Sequence, residues 1–140
     1  MSGLIRTPEV SMAASTVSRY ARVRQRMVAL QQQLAAGQDM ILDGRDICTT
    51  VLPDAPVKIF LTASPEERAR RRWKEMREKG QEEPFEAVLA QVRARDEQDM
   101  NRPVEPLRQA EDAALLDTTE MDFDQVVDAI CSMAEEKIHG

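Results

Sequence analysis

Arginines and aspartates spaced along one helical face are the residues of this sequence best suited to chemistry. The segment from Pro84 to about Arg102 reads as a helix, with Phe85, Val88 and Val92 as its inward stripe and Leu89 beside it. The same three-to-four-residue step then lands on Arg95, Asp99 and Arg102, with Asp96 adjacent. Burying unpaired charge is costly. A helix whose inner face turns charged therefore either lines a polar cleft or leaves the core. In a cleft the row suits a phosphorylated, hydroxylated ligand, because guanidinium forks hold phosphate and a carboxylate accepts from sugar hydroxyls. The other arrangement is a helix end projecting into water, laced by its own salt bridges.

A second basic group lies upstream. Ser64-Pro65-Glu66-Glu67 has the pattern of a capping box, Ser64 as cap and Glu67 three residues on. The helix it starts carries Arg68, Arg70, Arg71, Arg72, Lys74, Arg77 and Lys79, the one strongly basic segment of an acidic chain. Glu66 to Arg70 and Glu67 to Arg71 have i,i+4 spacing, so part of this charge is self-paired. Arg68, Arg71 and Arg72 share a face. Gly80-Gln81-Glu82-Glu83-Pro84 then makes a polar connection, either a lid hinge or a plain surface loop.

Two short apolar runs, 40–42 and 57–61, position these groups. Runs that are apolar on both faces suit buried parallel strands. The first ends in Asp43-Gly44-Arg45-Asp46, and charges just past the carboxyl end of such a strand are where open α/β sheets bind ligands. An inert polar turn fits the same four residues. A third strand is expected over 113–116, ending at Asp117-Thr118-Thr119. A helix is expected from Thr7-Pro8-Glu9, with Thr7 as cap and Val10, Ala13, Ala14 and Val17 on its apolar face. After a break near 18–20, Val23, Met27, Leu30 and Leu34 continue to a stop at Gly37. Arg22, Arg24 and Arg26 lie early in that second helix, where cations oppose the dipole; they serve a ligand or sit solvated on an exposed face. Asp122-Phe123-Asp124-Gln125 starts a final helix, with Phe123, Val126, Val127, Ile130, Met133 and Ile138 as its core face. The fold class is α/β, strands alternating with helices in one domain.

The composition narrows the chemistry. The 140 residues carry a net charge of −6 and 4% aromatics, which argues against general nucleic-acid binding, including by the basic helix. No apolar run reaches membrane-spanning length. Cys48 and Cys131 lack metal or redox spacing and read as reduced cytosolic thiols. The one histidine, His139, is next to the last residue, so metal clusters and His-assisted nucleophiles lack candidates. Phosphate handling by arginines and carboxylates remains. It fits phosphoryl transfer, which depends on positioning and charge neutralisation. The five glycines, Gly3, Gly37, Gly44, Gly80 and Gly140, do not form the phosphate loop G-x-x-x-x-G-K-[ST].

Several words of the sequence occur together in one known family. They are Ile5-Arg6-Thr7-Pro8-Glu9-Val10, Ala14-Ser15, Asp43-Gly44-Arg45-Asp46, Pro53-Asp54-Ala55-Pro56-Val57-Lys58-Ile59-Phe60-Leu61, Glu66-Glu67-Arg68-Ala69, Arg95-Asp96 with Asp99 and Asn101-Arg102, and Leu116-Asp117-Thr118-Thr119. In order and spacing the chain resembles the bacterial cytidylate kinases, nucleoside monophosphate kinases that phosphorylate CMP and dCMP with ATP. The resemblance implies that Ser15, Arg24 and Asp46 read the cytosine edge. It implies that Arg45 and Arg102 hold the monophosphate, and that Arg95 and Asp99 contact the ribose. Arg71 and Arg72 resemble the lid arginines, which with Arg45 and Arg102 act on the transferring phosphoryl group. Asp117, Thr118 and Thr119 are similar to part of the adenine pocket. ATP is the implied donor and Mg²⁺ the implied metal, with no protein ligand assigned to it. The location implied is the cytoplasm.

A complete member of that family carries more chain ahead of this region, including the first strand and the phosphate loop. The expectation is a C-terminal portion with an incomplete parallel sheet. Residues 1–36 would end the monophosphate-binding insertion, 37–64 hold core strands, 65–84 a lid-like helix and loop, and 85–140 core helices and the last strand. Alone it is expected to be inactive or nearly so. The competing expectation is a non-catalytic nucleotide-binding or self-associating module, since an open sheet edge invites pairing. The family is monomeric at full length.

Overall fold

A computed structural model describes residues 8–18, 20–101, 103 and 106–139; for 8, 9, 11, 12 and 15 it describes the backbone alone. Thr7 and Arg102, to which the sequence reading gives a capping and a phosphate role, lie outside the described residues. Among the described residues five α-helices and two strands follow one another: α1 (Pro8–Val17), α2 (Ala21–Ala35), β1 (Ile59–Thr62), α3 (Pro65–Glu78), α4 (Phe85–Asn101), β2 (Ala114–Asp117) and α5 (Phe123–His139). A single turn of π-helix, Ile47–Val51, stands between α2 and β1. The arrangement is α/β, as expected. None of the described helices is long and apolar enough to cross a membrane.

The sheet is small and parallel. β1 pairs with β2 in the register Ile59 with Ala114 through Thr62 with Asp117. Lys58 fixes the entry to β1. Its side chain is 7% exposed, pairs with Asp112 and donates to the Pro53 carbonyl. The expected strand over 40–42 does not form. These residues are extended but unpaired, and Ile41 is 97% exposed. A strand needs a neighbour to take up its N–H and C=O groups, and no described segment lies alongside this one.

Among the described residues the buried cluster sits between α3 and α4, while Ile47, Val51, Ala63, Ala113 and Leu116 are buried outside it. Ala69 and Val88 are fully buried and Val92 nearly so, with Trp73, Met76, Phe85 and Leu89 packed around them. This is the stripe read from sequence. Trp73 meets Phe85 edge to face, with ring centroids 6.2 Å apart, and Arg77 lies over the Trp73 ring. The Trp73 indole N–H donates to the Glu83 carbonyl at 2.9 Å, and Gln91 donates to the Glu83 carboxylate. The glycine-started connection after α3 is thus tied at Glu83 to both helices.

Local signals read well and apolar stripes less so. Ser64 Oγ accepts from the Glu67 N–H as expected, whereas Glu67 turns its carboxylate to Arg71 and Arg70. Glu66 pairs with Arg93 rather than Arg70. Asp122 and Gln125 form a full reciprocal box, both bonds 2.9 Å. The break after Val17 is present, and Gly37 follows α2 with φ +115°. Phe123, Val127 and Ile138, expected on the core face of α5, are exposed, Phe123 to 81%, and no residue of that helix is buried. Val23, Met27 and Leu34 of α2 are also exposed.

Shortening Val88 removes two methyl groups from a closed site. Val88→Ala should cost about 2 kcal/mol, read as a lowered urea midpoint by fluorescence of Trp73, the only tryptophan. A midpoint unchanged within error would place the core elsewhere.

Candidate functional site

Consecutive residues of the loop 43–46 connect to two different cavities: Arg45 lines one, and Asp46 pairs with Arg24, which lines the other. Gly44 lets the loop lie close to the π-turn. A Cβ there would come within 2.9 Å of Ile47 Cγ1 and 3.1 Å of Cδ1, and Ile47 is buried. The π-turn itself hangs on Asp46, whose carbonyl accepts from the N–H groups of Thr50 and Val51. Gln32 of α2 reaches across to the Val51 carbonyl at 3.0 Å. Such turns recur where a backbone must present a particular side chain.

Asp46 points to α2. Its carboxylate pairs with Arg24, and both side chains are more than four-fifths buried. Arg24 Nε is buried with no hydrogen-bond partner. A cavity of about 290 Å³ opens here, lined by Arg24, Val28, Ala29, Gln32 and Thr50 among others. The early arginine of α2 is therefore not a solvated surface charge. It offers a guanidinium edge beside an apolar wall, which suits a planar heteroaromatic ring with polar edge atoms.

Arg45 points the other way. It pairs with Asp99, which Arg95 also approaches at 3.9 Å. A cleft of about 260 Å³ is lined by Arg45, Arg68, Arg72, Val92, Arg95 and Asp96. The charged end of the α4 stripe thus lines a cleft rather than leaving into water. Among the described residues the Arg72 side chain makes no hydrogen bond or ion pair, so its guanidinium stands ready for an anion. Four arginines around one small volume, with carboxylates on its rim, can hold a phosphate group.

Arg68 and Asp96, given no role by the sequence reading, form the best-defined contact here. Arg68 donates to both oxygens of Asp96, at 2.7 and 2.6 Å, while its Nε donates to the Ala63 carbonyl at 2.9 Å. These charge-assisted bonds hold the Asp96 carboxyl below the usual carboxylate range, helped by the nearby charges of Arg45 and Arg95. They raise Arg68 in turn. One signal could have found Asp96: it lies one i+4 step past Val92, on the row of buried residues.

Arg71 goes to a different place from Arg72. It donates to the Thr118 carbonyl at 2.6 Å, to the Thr118 hydroxyl and to the Met121 carbonyl, so it is fastened to the turn after β2. Thr118 is buried and its hydroxyl donates to the Thr62 carbonyl. Thr119 Oγ1 accepts from the Ser64 N–H and donates to Asp117, as does the Thr119 backbone N–H. Those bonds, the hydroxyl first, lower the Asp117 carboxyl. The structure thus brings Arg24 with Asp46, and Arg45, Arg72, Arg95 and Asp99 together, and sets Arg71, Asp117, Thr118 and Thr119 at a second place. Ser15 lies on α1 as backbone alone.

The Arg68–Asp96 pair makes stability pH-dependent. Because the folded Asp96 is depressed below its unfolded value of about 3.9, its contribution is full above that pH and is lost as pH falls on through the lower, folded value. Asp96→Asn should lower stability by about 1 kcal/mol at neutral pH once solvent screening is allowed for. Urea midpoints of the two proteins should converge below about pH 4. A gap that stays constant with pH would refute the pairing.

Comparison with known proteins adds the family. A cytidylate kinase family model matches residues 1–136. The cytidylate kinase of Enterococcus faecalis is 51% identical over 133 residues, 95% of this chain and 59% of that protein. That of Desulfitobacterium hafniense is 50% identical over 134 residues, 96% and 58% respectively. That of Thermosipho melanesiensis is 47% identical over 133 residues, 95% and 61%. The chain spans about 60% of the length of the curated relatives it matches. With a match over nearly all of its residues, it belongs to the cytidylate kinase family.

Proposed function

We propose that this chain carries the acceptor side of a phosphoryl-transfer site that takes CMP or dCMP, with ATP as donor. The observation that carries the reading is the division of labour at the loop 43–46. Asp46 joins Arg24 at a cavity with an apolar wall, and Arg45 joins the arginine cleft. A nucleoside monophosphate has the same two ends, a planar base and a phosphate. Arg24 and Asp46 would meet the cytosine edge, with Ser15 added from α1. Arg45, Arg72 and Arg102 would hold the phosphate and the transferring group. Arg95 and Asp99 would contact the ribose. Arg45 and Asp99, paired with each other here, would exchange that pairing for phosphate and hydroxyl contacts.

Transfer then proceeds in line. The acceptor phosphate oxygen attacks the γ-phosphorus of the donor, the bond to the β,γ-bridging oxygen breaks, and the arginines neutralise the charge that gathers on the equatorial oxygens. The segment holding Asp117, Thr118 and Thr119 is assigned to the donor base, with Arg71 closing on it. Mg²⁺ is assigned to the nucleotide phosphates. Among the described residues no group of three or more His, Cys, Asp and Glu is placed to hold a metal. The 140 residues contain no G-x-x-x-x-G-K-[ST] loop, so a polypeptide of this sequence alone should turn over ATP and CMP near background. Robust turnover in a coupled assay would refute that expectation.

Calorimetric titration with CMP, and with AMP as control, tests the acceptor site. CMP should bind and AMP should bind at least about tenfold more weakly, the value of one lost polar contact set at a buried edge. Equal affinities would mean the base site is not assembled. Binding of neither by a folded sample would favour the self-associating reading, to which the exposed Ile41, Leu61, Leu115 and Phe123 give some ground.

A further inference from the structure

The contact left without a task by the reading above is the fork of Arg68 on Asp96. We propose that Arg68 and Asp96 are positioning residues: their fork sets the angle of α4 against the end of β1, and so holds Arg95 and Asp99 at the phosphate cleft. The inference rests on the reading that the phosphate of CMP enters that cleft.

Three observations carry it. First, the N–H directions of Arg68 that matter are spent. Nε serves the Ala63 carbonyl just past β1, and Nη1 and Nη2 each serve one oxygen of Asp96. Although Arg68 lines the cleft, it is engaged with protein, whereas Arg72, four residues on, has no partner among the described residues. Second, the fork spans three elements. It starts on α3, touches the backbone where β1 ends, and closes on α4, so α4 cannot roll about its axis without breaking two short bonds. Third, Asp96 lies between Val92 and Asp99 on α4, one turn from each. Below it the helix is fixed by the buried Val88 and Val92. Beyond it no buried residue of α4 continues the packing, and Asp99 is held there through ion pairs with Arg45 and with Arg95, the residue just before the fork. The fork is the last firm attachment on this part of α4, one residue after Arg95 and one turn before Asp99, the two residues that need an exact heading. Arginine suits the task because its planar fork matches a carboxylate on two lines at once, which lysine cannot do.

The sign of one substitution separates positioning from direct contact. Asp96→Asn removes a negative charge from an anion cleft and frees the Arg68 guanidinium. If Arg68 were a phosphate ligand restrained by Asp96, CMP would bind more tightly. A positioning fork predicts the reverse. The readout is the ratio of CMP affinity to cytidine affinity by calorimetry, because a general loss of structure lowers both ligands alike. Asp96→Asn and Arg68→Lys should each lower the ratio about tenfold, the scale of one charge-assisted contact. Glu97→Gln, which removes one charge from the exposed side of the same helix, should leave the ratio unchanged or slightly raised. An increased or unchanged ratio in Asp96→Asn overturns the proposal. Should Asp96→Asn fail to fold, Asp96→Glu moves the carboxylate by one methylene and should lower the ratio in the same direction.

A second arm needs no ligand. In ¹⁵N spectra of the nucleotide-free chain, the Nε–Hε signals of Arg45 and Arg95 should broaden or shift in Asp96→Asn and stay in place in Glu97→Gln. Signals that do not move overturn the positioning role even where CMP does not bind at all. A wild-type chain that binds no CMP, with signals that do respond, would fail the acceptor-site reading and leave the positioning role standing.

Discussion

Positive charge gathered in a small volume is the constraint on which this structure turns. Arg45, Arg68, Arg72 and Arg95 surround one cleft. Like charges about 4 Å apart repel by about 1 kcal/mol in water and about 4 kcal/mol in the effective dielectric near a protein surface. The chain answers with carboxylates that do more than neutralise. Asp96 joins α4 to α3 through Arg68, Asp99 joins α4 to the loop 43–46 through Arg45, and Asp46 joins that loop to α2 through Arg24. The three pairs form a chain of contacts running from the core helices to the N-terminal half. Among the described residues the buried apolar cluster lies between α3 and α4 and α2 buries no residue, so the link to the N-terminal half rests on these pairs together with the buried Ile47 and Val51 of the π-turn. The groups proposed to bind ligand therefore also hold the elements together. A ligand phosphate that takes Arg45 from Asp99 would change how α4 meets the loop, so binding and tertiary arrangement are linked at one ion pair.

What could be read from sequence was local. The Ser64 cap, the Asp122 and Gln125 box, the break after Val17 and the apolar stripe of α4 all depend on residues within a turn or two of one another, and all are present. The ambiguity at the charged end of α4 was also real in physical terms. Periodicity shows that Arg95 and Asp99 follow the buried face. It does not show whether another element rises to meet them. The loop 43–46 does so from 54 residues away, and spacing carries no record of a contact at that range. The contact of Arg68 with Asp96, 28 residues apart, leaves no mark in the spacing for the same reason.

Two expectations failed because a pattern states a need and not its satisfaction. The run 40–42 has the composition of a buried strand, yet a strand exists only where a neighbour takes its backbone hydrogen bonds, and here Ile41 is left almost wholly open. Phe123, Val127 and Ile138 have the right period for the core face of α5, but period does not supply the neighbour that would cover them, and no residue of that helix is buried. The stripe of α2 is a third case of another kind. Its apolar side is only partly met by the π-turn, so Leu30 is half-buried while Met27 and Leu34 are exposed.

Helix geometry also divides a pair that sequence alone treats as one. Arg71 and Arg72 are neighbours in the chain, and the resemblance implies a shared lid role for them. Successive residues on an α-helix differ by about 100° in heading. Arg71 accordingly reaches the turn after β2, where it donates to the carbonyls of Thr118 and Met121, while Arg72 faces the cleft with Arg45 and Arg95. Arg68, one turn before Arg72, faces the cleft as well and fastens it. α3 thus touches both places at which the proposed reaction would hold nucleotide, the turn on one side and the cleft on the other. Its start is fixed by Ser64, whose N–H donates to Thr119 from that same turn. Any tilt of α3 about its start would move Arg71 and Arg72 together, and would shift the grip on the turn and on the cleft in one motion.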